Sequence, residues 1–214
     1  MEFDLEVTDA LLSTTRSVRK RLDFDRPVSR EIVETCVGIS QQAPTGTNSQ
    51  GWRWIVVEDK AKKARLAEIY RMAAKGYLEA QEIELQKSGN KQTSRVIDSA
   101  LFLAENLQHA PFHVIPCLEG APPEGAPRMA VAATMASIFP AVWSFQLALR
   151  ARGLGSCITS LHLANAELAA EVLGIPDNIM QVALLPVAYT KGTDFKIAKR
   201  PPASSIIHWD EWGA

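Results

Sequence analysis

Ala43-Pro44-Thr45-Gly46-Thr47-Asn48-Ser49-Gln50-Gly51-Trp52 is the stretch on which the reading of this chain turns. It is a small, polar loop that leads into an apolar run, Trp54-Ile55-Val56-Val57, whose β-branched and aromatic content marks a buried strand. Pro44 excludes helix from the residue before it, so the preceding helix must stop near Ala43. Thr45, Asn48 and Gln50 carry hydrogen-bonding side chains, and Gly46 lets a ligand come close to the backbone. A surface connection would explain the turn formers, but it does not require this density of amides and hydroxyls.

Upstream, Pro27-Val28-Ser29 opens a helix with Ser29 as N-cap and Ile32, Val33, Cys36 and Ile39 as its apolar face. Thr8 to Arg19 predicts a short helix ending in a basic cluster, Arg16, Arg19, Lys20 and Arg21. Downstream, residues 60–86 read as a charged helix with Leu66, Ile69, Ala73 and Tyr77 on one side, Ser88 to Ser94 as an aperiodic polar connection, and 95–108 as another helix. Phe112 to Leu118 is a second strand, followed by a proline-rich loop from Ala121 to Pro127. Arg128 to Arg152 is apolar nearly all round, which predicts one helix, kinked at Pro140 and buried on every side. Gly153-Leu154-Gly155 ends it, Asn165 caps a short helix stopped by Gly174-Ile175-Pro176, and Val182 to Tyr189 is a third strand. Few strands among many helices, with no repeat or boundary, give an α+β fold in a single domain over residues 1–214.

The net charge is −1, which argues against nucleic acid or an anionic membrane as the partner, since phosphate binding of that kind needs clustered positive charge. The three cysteines, Cys36, Cys117 and Cys157, have no metal-ligand spacing and lie in apolar stretches, so they read as buried thiols of a reducing compartment, and no metal site is expected. No signal peptide and no uninterrupted apolar run of membrane-spanning length is evident, so the expectation is a cytoplasmic protein.

No P-loop, HExxH or GxGxxG is present; Gly153-Leu154-Gly155 follows a helix rather than a strand. Arg16-Ser17-Val18-Arg19 places two guanidinium groups and a hydroxyl where they can converge on one phosphate, although a solvated basic helix end has the same composition. Gly153 to Ser160 is a glycine-rich helix exit whose backbone N–H groups could meet a flat heterocycle. Lys199-Arg200-Pro201-Pro202 could close a phosphate site or form a surface patch. His109 and His113, flanking a proline and a strand start, read as structural.

In this order, and over roughly residues 12 to 212, these segments resemble the FMN-dependent nitroreductase family. The resemblance rests on Arg16-Ser17-Val18-Arg19 followed by Phe24, the Ala43–Trp52 loop, a long apolar helix running into Gly153-Leu154-Gly155-Ser156, the Leu173–Pro176 turn and the Lys199–Pro201 tail. It implies a nitroreductase-like FMN fold, a central mixed or antiparallel sheet flanked by helices, with a helical lid insertion at about 60–110, in an intertwined homodimer. Arg16, Ser17, Arg19 and Arg200 would hold the FMN phosphate and ribityl chain. Pro44, Thr45 and Gly46 of the partner subunit would lie against the ring, with Asn48 and Gln50 bonding its oxygens. Thr159 and Ser160, with the Gly155–Ser156 backbone, would meet the N5 side. Tyr70, Tyr77 and Phe102 are candidates for the acceptor pocket wall, though each also reads as a helix-pair core residue.

The activity so implied is ping-pong transfer of electrons from NAD(P)H, through FMN, to a small acceptor such as a nitroaromatic or quinone. No side-chain acid–base pair is required, and no catalytic residue is assigned. Two departures from the family pattern bear on acceptor shape: Ala188-Tyr189-Thr190 in place of Gly-Tyr-Pro, and Gly51 in place of a proline. Three alternatives stand beside this reading: a deiodinase-like reductive dehalogenase, a flavin-cleaving relative, and a flavin-storing or sensing protein whose ring face is plugged by Trp143 or Trp209. The first would grip an amino acid with a lid Glu, Tyr and Lys, yet Leu66 and Ala73 stand four residues before Tyr70 and Tyr77.

Overall fold

The computed structural model describes the backbone of residues 2–88 and 91–213, with side chains except at 75 and 77–93. The helices are α1 (Leu5–Thr14), α2 (Arg30–Ser40), α3 (Lys60–Ser88), α4 (Lys91–Asn106), α5 (Arg128–Ala136), α6 (Phe139–Arg150) and α7 (Ala166–Leu173). The strands are β1 (Leu22–Asp23), β2 (Trp52–Val57), β3 (Phe112–Glu119), β4 (Leu154–Gly155), β5 (Ile179–Gln181) and β6 (Leu185–Thr190). The sheet runs β1-β6-β3-β2, with β4 on β6 and β5 on β3, and every ladder is antiparallel. The fold is α+β, as the sequence predicts.

β3 organises the layers. Its side chains alternate between two buried clusters: Phe112, Val114 and Leu118 meet α2 and α6 on one face, while Ile115 and Cys117 meet α3, α4 and α7 on the other. An antiparallel strand usually keeps one solvated face; helices on both faces explain why this one is buried from Phe112 to Leu118. On the first face Phe145 is fully buried and its ring lies 5.2 Å from that of Trp54. Burial on the other face pushes the Cys117 thiol up to about 12.

Between β5 and β6 the ladder slips. β3 advances from Val114 to Cys117, three residues, while its partner moves from Leu185 to Gln181, four. Pro116 sits in this interval and has no N–H to donate. The extra residue forms a bulge that frees the Leu184 backbone, which bonds Thr159 in both directions at 2.8 and 3.1 Å.

Several elements depart from expectation. The first helix is Leu5–Thr14, so Arg16 to Arg19 lie beyond it in extended chain rather than on a helix end. In α2 the buried stripe is Val33, Cys36 and Ser40, and Ile39 falls off it, 42% exposed. Helix restarts at Lys91, four residues before Arg95. Tyr77 and the other side chains from 77 to 93 lie outside the described residues. Of the expected strand Val182 to Tyr189, the part from Leu185 onward is β6, while β5 lies ahead of it at Ile179–Gln181.

Arg128–Arg152 is two helices, not one kinked helix. α5 ends at Ala136, and Pro140 occupies the first turn of α6, where its missing N–H costs nothing. α6 is core, but α5 has no buried residue in a single chain. Contrary to expectation, the combined span Arg128–Arg150 is apolar enough to cross a membrane by length and composition, with a mean hydropathy of 1.4. The break before Phe139 and the packing of α6 on α2 place its second half in the protein core.

His113 of β3 and His162 are fully buried. His113 Nε2 lies 2.8 Å from the Leu107 carbonyl, whereas its Nδ1 and both His162 nitrogens have no partner among the described residues. Burial pushes both imidazoles down to about 4. The nearby Lys63 ammonium, which donates to the carbonyls of Ala110 and Pro111, adds repulsion at His113. Unfolding raises both groups back toward 6.5, so the stability that depends on neutral imidazoles is complete above about pH 6.5 and is lost as the pH falls toward 4. His162→Leu is expected to flatten the slope of urea-unfolding stability against pH across that window; a slope equal to the wild type's contradicts this account.

Candidate functional site

The Arg16–Arg19 segment is stitched to the end of α6 and to β4. Ser17 pairs with Ser156 in a parallel bridge, and the Val18 N–H donates to the Ser156 carbonyl at 2.8 Å. A Cβ on Gly155 would lie 2.7 Å from Thr190 Cγ2 and 2.9 Å from Val18 Cγ2, closer than real contacts allow. Glycine at 155 therefore serves a close approach of three chain segments. Its backbone belongs to the β4–β6 ladder and is fully buried, so it is not laid open as a helix exit would be. Thr190, one of the departures from the family pattern, is part of this packing, and its hydroxyl donates to the Gly153 carbonyl at 3.2 Å.

The cations of the segment fan outward. The Arg16 Nε donates to the Lys196 carbonyl at 2.9 Å, and its Nη2 reaches the same oxygen, so the C-terminal chain passes directly over Arg16. Arg19 approaches Ser99 of α4 at 3.4 Å, and Lys20 pairs with Asp98. Arg19 also lies beside Cys157, whose thiol burial pushes up to about 11. Arg16, Gln146, Arg150, Gly155 and Ser156 line one small cleft; Ser17, Arg19, Arg21, Ser99 and Phe195 line its neighbour. Arg200 lines neither: it is exposed and donates to the carbonyl of its neighbour Lys199 at 3.5 Å. Arg16 and Arg19 form no carboxylate ion pair among the described residues.

The 43–52 loop closes on itself. Thr45 Oγ1 accepts from the Gln50 N–H at 3.2 Å, and Gln50 Nε2 donates to Asn48 Oδ1 at 3.0 Å. The Gly46 N–H donates to Ser137 Oγ at 3.1 Å, and Trp52 Nε1 donates to the Ser137 carbonyl at 2.7 Å. The loop, with Pro44 exposed at its head, opens on a cavity of about 520 Å³ lined by Gly46, Thr47, Ser49, Ala133 and Thr134 but by no residue of Arg16–Arg19. One chain therefore does not bring these two sequence motifs together.

Thr159 and Ser160 follow β4. Thr159 Oγ1 donates to the Tyr70 hydroxyl at 2.9 Å, and Ser160 is exposed. Tyr70 is 3% exposed and belongs to the core facing α4, so the structure makes it a support for Thr159 rather than a pocket wall. The Phe102 ring stacks on Phe24, 6.3 Å away. Sequence reasoning missed Gln146, which donates to Ser156 Oγ at 3.0 Å, together with Arg150, Phe195 and Ser137. Gln146 and Arg150, four apart in a mostly apolar helix, were the available signal.

The nitroreductase family model matches residues 12–189, and this chain belongs to that family. Among curated proteins, the iodotyrosine deiodinase of Thermotoga neapolitana is 23% identical over 181 residues, 83% of this chain and 86% of that protein. Similar solved structures include oxidized iodotyrosine deiodinase bound to FMN and 3-iodo-L-tyrosine (TM-score 0.69, 22% identity, 95% of this chain and 99% of that one). The FMN and NADPH-dependent nitroreductase NfnB from Sphigopyxis sp. strain HMH has a TM-score of 0.68 at 19% identity, covering 95% and 99%. A BluB-like flavoprotein from Clostridium difficile 630 has a TM-score of 0.68 at 19% identity, covering 97% and 100%.

Thr47, Asn48 and Gln50 have φ of 51°, 53° and 49°. Asn tolerates this left-handed conformation, but a β-branched threonine is strained there. Such strain persists where the surroundings over-determine the backbone. Thr47→Gly is expected to raise stability by about 1 kcal/mol through relief of that strain, measured by urea unfolding; a loss of stability would show that Thr47 is not strained.

Proposed function

We propose that this protein is an FMN-dependent oxidoreductase that acts as a homodimer and passes electrons from NAD(P)H to a small acceptor such as a nitroaromatic or quinone. The observation that carries the reading is the set of cations around the Ser17–Ser156 bridge, with Arg16 and Arg19 lacking carboxylate partners among the described residues. Such a cluster repels itself unless an anion completes it, and guanidinium groups match phosphate oxygens in charge and geometry. These residues fit the phosphate of FMN.

Arg16, Ser17 and Arg19 would hold the phosphate and ribityl chain, with Arg200 swinging in from the exposed tail. Thr159 and Ser160 would edge the ring, with Tyr70 fixing the Thr159 hydroxyl. The partner's Pro44, Thr45, Gly46, Asn48 and Gln50 would cover the ring, which accounts for a loop that opens away from Arg16 in its own chain. Bound FMN supplies the hydride chemistry; the chain orients the ring, excludes water and fixes the phosphate. The α3–α4 pair would form the lid over the acceptor, and the free, buried Cys36, Cys117 and Cys157 suit a cytoplasmic setting.

Exposed apolar residues support the dimer. Met129 is 81% exposed, and Phe139 and Trp143, four apart on α6, stand out from the same region. Large apolar side chains left exposed in this way suit a protein interface. Trp143→Glu is expected to convert a dimer to a monomer by light scattering; an unchanged mass would remove this face from the interface.

A second reading, reductive dehalogenation, is favoured by the deiodinase relative. One experiment separates the two. The purified protein is expected to show flavin absorbance, to bleach anaerobically with NADH or NADPH, and to recover colour on addition of a nitroaromatic without releasing iodide from 3-iodo-L-tyrosine. Iodide release with no nitroaromatic turnover would establish the second reading, and a colourless protein that takes up no added FMN would overturn both.

A further inference from the structure

Three arginines converge on one short stretch of the C-terminal chain. The Arg16 guanidinium donates to the Lys196 carbonyl, that of Arg150 to the Thr193 carbonyl at 2.9 Å, and that of Arg21 to the Lys191 carbonyl at 2.9 Å. Between them lies the Phe195 ring. Arg21 sits 4.2 Å from its centroid and Arg150 4.6 Å, so one ring face or edge serves two cations. Phe195 is packed against Val18, Leu22 and Ala188, which fixes the ring to the strand that carries Arg16 and Arg19.

The charges in this group are unequal in their partners. Arg21 has a carboxylate, Asp194, at 2.5 Å. Arg150 has neutral oxygens: the Thr193 carbonyl and, at 3.4 Å, Thr14 Oγ1. It belongs to no ion pair among the described residues, and neither does Arg16. Both line the same cleft with Gly155 and Ser156. Burial, and then repulsion from Arg21, hold the Arg150 guanidinium below its ordinary value.

We propose that Arg150 is a further phosphate-binding cation beside Arg16 and Arg19, and that Phe195 is a positioning residue that holds its guanidinium by a cation–π contact. The ligand group is a phosphate monoester dianion, whose three oxygens can accept from several guanidinium groups at once. The inference rests on the flavin reading above and extends it to a residue on α6 and to the chain crossing it.

FMN and riboflavin differ by that phosphate alone, so their affinities, measured by quenching of flavin fluorescence on the apoprotein, provide the test. Arg150→Gln is expected to weaken FMN about 10- to 100-fold, the range for one lost charge-assisted hydrogen bond, and to leave riboflavin unchanged. Arg16→Ala serves as the reference for a phosphate contact. Arg150→Lys, which keeps the charge and loses the planar fork, is expected between wild type and Arg150→Gln, and it stands in if the glutamine variant does not fold. Phe195→Leu is expected to lower the FMN-to-riboflavin ratio in the same direction, and Phe195→Tyr to restore it. Equal losses for both flavins, or no loss for either, would overturn the assignment. If the wild type binds neither flavin, the flavin reading fails separately. Inorganic phosphate then decides the site: a rise in melting temperature that Arg150→Gln lacks supports it, and the same rise in both proteins overturns it.

Discussion

The approach of Val18 and Thr190 to Gly155 is the constraint on which the rest of the site depends. With no Cβ in the way, three segments remote in sequence come within van der Waals contact, and the Val18 N–H reaches the Ser156 carbonyl. That bond turns Arg16 and Arg19 outward to either side of a buried valine. Any larger residue at 155 would have to move backbone, because the atoms it meets belong to β-branched side chains whose rotamers are restricted. The cations are therefore oriented by packing, and not by the helix end that their composition suggests.

Concentrating positive charge in this way is unfavourable by itself, and the molecule relieves only part of it. Asp98 and Asp194 take up Lys20 and Arg21, while Arg16 and Arg150 are satisfied by carbonyl oxygens of the crossing C-terminal chain. Carbonyl dipoles meet the hydrogen-bonding need of a guanidinium without cancelling its charge. The site is thereby kept intact and positively charged, which is what an anion-binding cleft requires.

The two faces of β3 divide the remaining work. One helical layer, α2 and α6, carries the core against Phe145 and Trp54; the other, α3, α4 and α7, carries Tyr70 and, through it, Thr159. The bulge opposite Pro116 delivers the Leu184 backbone to Thr159, so a ladder defect fixes the backbone of the residue that Tyr70 supports. α5 stands outside both layers with its apolar residues uncovered, and the 43–52 loop leans on it through Ser137. The strained loop and the uncovered helix thus share one surface, which is the arrangement a second subunit would complete.

What the sequence determined by itself was local. The end of α2 ahead of Pro44, which falls at Ser40, the N-cap at Ser29 and the glycine stop at Gly174 after α7 all follow from conformational limits and periodicities that act over a few residues. The ordered motifs from Arg16 to Arg200 also marked the family before any contact was known. Tertiary structure decided the rest: that Arg16 meets the chain 180 positions away, that Arg150 joins its cleft, that Gly155 is a point of close packing, and that Tyr70 is a buried support. Propensity and pattern cannot see these, because each depends on the separation between segments that only the assembled sheet sets. For the same reason an apolar helix such as α5 reads as core in the sequence, whereas the folded chain leaves it on the outside.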